Sequence, residues 1–110
     1  MSVERRTVDK DLGVVLTRLR REIGKRKPKA RVDAIRYYPE AIWVRVVDPS
    51  VKGTRITQRR TELYWDIIEE SLPEKLRTQV WMVFVLAPDE LKRSATNLEF
   101  EDPHPPVTAL

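Results

Sequence analysis

The segment from Ala30 to Pro49, ARVDAIRYYPEAIWVRVVDP, constrains the fold more than any other part of this chain, because its side chains sort with a period of two. Val32, Ala34 and Arg36 alternate against Arg31, Asp33, Ile35 and Tyr37. Beyond Pro39-Glu40-Ala41, Ile42, Val44 and Val46 alternate against Trp43, Arg45 and Val47. β-Branched and aromatic residues in that pattern predict strands. Pro39 has no N–H to give to a ladder and predicts the turn between them. The spacing therefore predicts a hairpin with strands near 31–38 and 42–48. Ile42, Val44 and Val46 are expected to meet helices, with Trp43 and Arg45 on the opposite face.

On either side the period lengthens. Leu12, Val15, Leu16, Leu19 and Ile23 recur at helical spacing after a possible cap at Asp9 or Asp11, and Gly24 is the expected stop. Downstream, Asp48-Pro49-Ser50 ends the second strand and Gly53 supplies a turn. A second helix is predicted from about Thr57 to Ser71, with Ile56, Leu63, Tyr64, Ile67 and Ile68 inward and Arg59, Glu62, Asp66, Glu69 and Glu70 outward. Arg59 and Arg60 near its start oppose the helix macrodipole. After a further turn at EKLRTQ, the run VWMVFVLAP predicts a strand covered on much of both faces. PDELKRSATNL opens a last helix with Pro88 at its first position.

The order α-β-β-α-β-α predicts an α+β domain: a three-stranded mixed sheet with its helices on one face. The helical link between the second and third strands makes those two parallel. Residues 1–8 are expected to be disordered, 9–97 to form the single domain and 98–110, with three prolines and no period, to be a flexible tail.

At 110 residues there is material for one small core. The chain contains no cysteine, which excludes disulfides, thiolate metal sites and Cys nucleophiles. The one histidine, His104, lies in the tail, so a Ser-His-Asp arrangement has no support within the domain. Glu69-Glu70 and Asp89-Glu90 are adjacent helix residues that face different ways, and the three glycines stand apart, so neither paired-carboxylate chemistry nor a nucleotide loop is indicated. A non-enzyme without cofactor or metal cluster is expected. The N-terminus lacks the apolar core of a signal peptide, and no apolar run approaches the roughly 20 residues of a membrane span. The expected setting is the cytoplasm, away from membranes.

The net charge of +4 is unevenly placed. Through Arg36, twelve Lys and Arg face five Asp and Glu, a balance of +7; from Tyr37 onward, nine face twelve, a balance of −3. The basic excess concentrates in KRKPKAR, Lys25 to Arg31. Two readings stand side by side there, a solubilising linker and a polyanion-binding patch whose affinity would depend on salt.

VKGTRITQRRTELYWDIIEESLP, Val51 to Pro73, resembles the central segment of BolA-like proteins, where a glycine turn leads to a Gln-Arg-His-Arg cluster and a Tyr-bearing helix. Gly53, Gln58, Arg59 and Tyr64 match in register. IWVRVVDPS and VWMVFVLAPDEL are similar to the family's strand before that turn and to its last strand and final helix start. In element order the resemblance covers about residues 12–93. It implies a small α+β domain similar to type II KH domains, and a non-enzymatic adaptor. Members pair with monothiol glutaredoxins around a two-iron, two-sulfur cluster, and some are linked to DNA binding.

The departures are specific. Arg60 stands where the family has its helix-start histidine, and Trp81 where the last strand carries a ligating histidine. The turn Pro39-Glu40-Ala41 is shorter than the family's ligand-bearing loop. Neither a guanidinium nor an indole offers iron a lone pair, so cluster ligation does not carry over.

Two functions from different classes follow. One is nucleic-acid binding, with Arg26, Lys27, Lys29 and Arg31 on phosphates, Arg45, Arg59 and Arg60 as secondary contacts, and Trp43 for stacking. The absence of a Gly-x-x-Gly loop, the usual KH backbone clamp, counts against it. The other is a protein adaptor or homodimer using the sheet face that carries Trp43 and, if the third strand lies beside the second, Trp81.

Overall fold

The computed structural model describes residues 9–53, 57–93 and 100. Residues 1–8, Ile56 and the tail other than Phe100, for which the sequence sets expectations, lie outside them. Helix α1, Lys10–Arg26, begins where the Asp9 carboxylate accepts from the Leu12 N–H at 3.0 Å. Asp11 in its first turn and Lys25 and Arg26 in its last complement the macrodipole. Gly24 does not end this helix. The stop comes three residues later, because Lys27 precedes Pro28 and a residue before proline avoids the α region; Lys27 has φ −136° and ψ 78°, and its N–H still reaches the Ile23 carbonyl.

The hairpin forms as the alternation requires. β1, Arg31–Tyr38, and β2, Ala41–Val47, pair antiparallel, with Val32 opposite Val46 and Ala34 opposite Val44. A 3₁₀ turn at Pro49–Val51 follows, then α2, Thr57–Ser71, the short α3, Glu74–Arg77, and β3, Val80–Leu86. β3 lies parallel to β2, so the sheet order is β1-β2-β3 with β2 central. Pro88–Arg93, expected to open an α-helix, forms a 3₁₀ helix instead.

α1 and α2 pack on one face of this α+β sheet. Val15, Leu19 and Ile23 from α1, Ile42, Val44 and Val46 from β2, and Tyr64, Ile67 and Ile68 from α2 form one continuous core. Leu63, expected in the inward stripe of α2, is 42% exposed. The buried stripe runs through Tyr64, Ile67 and Ile68, and Arg60 occupies the position one turn before Tyr64. β3 buries Val80, Val83 and Val85 in the core. As an edge strand it leaves Trp81 and Met82 exposed at its start.

Candidate nucleic-acid interface

Strand direction decides which loops share one end of the molecule. Because β1 is antiparallel and β3 parallel to β2, the start of β1 lies with the ends of β2 and β3. The turn Lys27–Ala30, the connection from Asp48 to Gly53 and the start of the Pro88–Arg93 helix therefore gather at that end. Arg60 brings the first turns of α2 to the same place. Its guanidinium donates to the carbonyls of Val51 at 3.0 Å and Val85 at 3.3 Å, and to the Glu90 carboxylate at 2.6 and 3.0 Å. That pairing, stronger than the penalty of burial, holds the Arg60 pKa above its usual range.

The basic residues at this end divide by how they are held. The Arg26 guanidinium reaches Glu70 on α2 at 2.7 Å, an exposed pair. Lys27 is half-buried, and Lys29, Arg31, Lys52 and Arg59 are exposed. Among the described residues none of these last five has a carboxylate partner within ion-pair distance. Arg60 differs: its side chain is 9% exposed and its donors are directed inward.

Beneath the basic turn lies a buried carboxylate. Asp48, 2% exposed, accepts from the Ser50 N–H at 2.8 Å and from the Tyr64 hydroxyl. Burial pushes its carboxyl up, but the bonds from Tyr64 and Ser50, with the charge of Lys27, outweigh that and hold it below the usual carboxylate range. Burial first, and then Asp48, push the Tyr64 phenol far up, so it stays protonated. Between the two turns opens a cleft of about 260 Å³, with Pro28 and Pro49 in its walls and Asp48 in its lining. On the other side of Pro28 a second hollow, about 410 Å³, is bordered by Arg20, Arg31 and Asp33.

The remaining expected contacts lie on the outer sheet face. Trp43 is half-buried and stacks on Tyr37, ring centroids 3.7 Å apart at 11°, with Phe84 edge-on at 5.2 Å. Phe84 in turn meets Phe100 at 6.0 Å, and the Arg45 guanidinium lies 5.1 Å from the Phe100 centroid. Arg45 is 6% exposed and bonds Asp33 at 2.5 Å. Trp81 is not the cross-strand neighbour of Trp43. The register shifts between Ile42 and Trp43, so Val80 pairs with Ile42, Met82 with Trp43, and Trp81 is the extra residue between.

Arg36 faces the helices, in line with Ala34, and not the aromatic face. It donates to Asp9 at 2.8 and 3.0 Å and to Gln79 at 2.8 Å, joining the start of α1 to the approach to β3. The structure thus brings together Arg26, Lys27, Lys29 and Arg31, with Arg59 and Arg60 at the same end, and separates them from Trp43, Arg45 and Trp81. Lys52, Pro28, Pro49 and the Asp48–Tyr64 pair were not among the sequence candidates. The Asp-Pro-Ser run was the available signal, since Asx turns recur at such sites.

Among the described residues, no group of three or more His, Cys, Asp or Glu is placed to hold a metal ion, and no helix is long and apolar enough to cross a membrane. Comparison with family models, with curated proteins and with solved structures finds no match.

Proposed function

We propose that this chain is a non-catalytic interaction domain of BolA-like, KH-like type that binds nucleic acid through the basic end of its sheet. One observation carries the reading: strand direction collects the turn bearing Lys27, Lys29 and Arg31, the connection bearing Lys52 and the helix start bearing Arg59 at one end. Phosphates are attracted by such a cluster of cations without any requirement for sequence readout. Arg60, Arg45 and Trp43 are supporting residues in this reading, because their polar or aromatic surfaces are already engaged inside the domain.

The test is titration of labelled single- and double-stranded oligonucleotides at two salt concentrations. Binding is expected to weaken steeply with salt, and charge reversal at Lys27, Lys29 and Arg31 together is expected to abolish most of it. No binding at low salt overturns the proposal.

A second reading, a protein adaptor or homodimer, draws support from the opposite end. Tyr38 at the end of β1 and Trp81 and Met82 at the start of β3 are 40%, 52% and 43% exposed. Large apolar side chains left in water are typical of contact surfaces. Concentration-dependent sedimentation that Trp81→Ala suppresses is the outcome expected of this reading.

A further inference from the structure

We infer that the cleft between the two turns at the basic end is a pocket for one unstacked nucleobase of a single strand. Base insertion presupposes the nucleic-acid reading above. Three features of the cleft select a base over a phosphate. Its lining is mostly apolar and includes Pro28 and Pro49, one from each turn, which suits the apolar face of a base. The Ser50 N–H, a donor that could otherwise hold a phosphate, is already given to the Asp48 carboxylate. Lys27 and Lys29 are among the residues around it, and their charges attract the phosphates on either side of an inserted base. A mostly apolar lining beside exposed cations sorts the strand with base inward and backbone outward.

Size agrees. A volume of about 260 Å³ falls just under the range of roughly 300–1,000 Å³ for pockets that take drug-sized ligands, which suits one base and not a nucleotide pair. A second hollow that shares Pro28, bordered by the Arg20–Asp33 pair and by exposed Arg31, lets the backbone run on past the Arg31 cation. Duplex DNA holds its bases stacked and paired, so it cannot fill the cleft without flipping one out. A preference for single strands follows.

Ser50 is exposed at the cleft mouth and carries no charge. Ser50→Phe fills the space while leaving every cation in place, and its backbone N–H still serves Asp48. With the full-length chain and a single-stranded 12-mer, Ser50→Phe is expected to weaken binding at least tenfold with the salt slope unchanged. An abasic strand of equal length is expected to bind the wild-type chain as weakly as the intact strand binds the variant. Adenosine monophosphate is expected to shift the amide resonances of Lys27, Lys29 and Ser50 in the wild-type chain, a readout that does not depend on the variant folding. If intact and abasic strands bind equally and the nucleotide moves none of those amides, the base pocket is refuted while phosphate binding stands. If no strand binds at low salt, both fall.

Discussion

The hydroxyl of Tyr64, midway along α2, donates to the carboxylate of Asp48 at the end of β2, so one buried bond ties together the two elements that flank the β2–α2 connection. The bond sets the position of the 3₁₀ turn, because the same carboxylate caps the Ser50 N–H. Tyr64→Phe keeps the ring and removes the donor, leaving a buried charge short of one partner. The expected cost is about 1–3 kcal/mol, read from the midpoint of urea unfolding at unchanged m-value.

Acid should expose the same dependence. Asp48 and Asp9 both have carboxyls held below the ordinary range, Asp9 chiefly by its bonds with Arg36. The unfolded chain therefore takes up these protons first as pH falls. Their stabilisation is complete above the unfolded value of about 4 and is lost on descending through the lower folded values. Unfolding midpoints measured from pH 6 to pH 2 should fall steeply below about pH 4. In Asp9→Asn that acid limb should be shallower.

Arg59 and Arg60 are sequence neighbours with different tasks. Arg60→Ala removes the cation that pairs Glu90 and the donors to the Val51 and Val85 carbonyls, and is expected to cost about 3 kcal/mol in denaturant unfolding. Arg59→Ala, on the exposed side, should stay within about 0.5 kcal/mol of wild type. Its effect should appear in oligonucleotide titrations, as a slope against log salt reduced by about 0.7 per lost phosphate contact.

Trp43 and Trp81 should separate in the same way. Trp43→Ala removes the ring held between Tyr37 and Phe84 and is expected to destabilise by about 2–3 kcal/mol. Trp81→Ala should leave stability within about 0.5 kcal/mol, so any change it makes in sedimentation reports on association alone.

The architecture was legible because each element carries its own period. Val32 to Val47 reads as strands, Leu12 to Ile23 as a helix, and the helical link between β2 and β3 made their parallel pairing readable before any coordinates. What the pattern concealed were charged residues placed inward. Arg36 and Arg60 look like surface cations in sequence, yet each lies on a buried face because a partner distant in the chain, Asp9 or Glu90, meets it there. Alternation assumes that inward means apolar, and it has no term for a paired guanidinium. Trp81 was misplaced for a different reason: one extra residue shifts the register of every position before it. The gathering of the basic turns at one end was implicit in the strand directions, but the meeting of Pro28 and Pro49 in the lining of one cleft depends on loop geometry that no periodicity encodes.

Both outer strands break step against β2 near its beginning, β1 between Arg36 and Tyr38 and β3 opposite Ile42 and Trp43. Such breaks sharpen the local coil of a sheet and turn its rims out of plane. The breaks shorten the regular stretch of each outer strand to Arg31–Arg36 on one side and Met82–Leu86 on the other, which limits the row of amides on which a foreign strand could lie. Side chains and loops are thereby favoured over main-chain extension of the sheet as the material of any lasting contact.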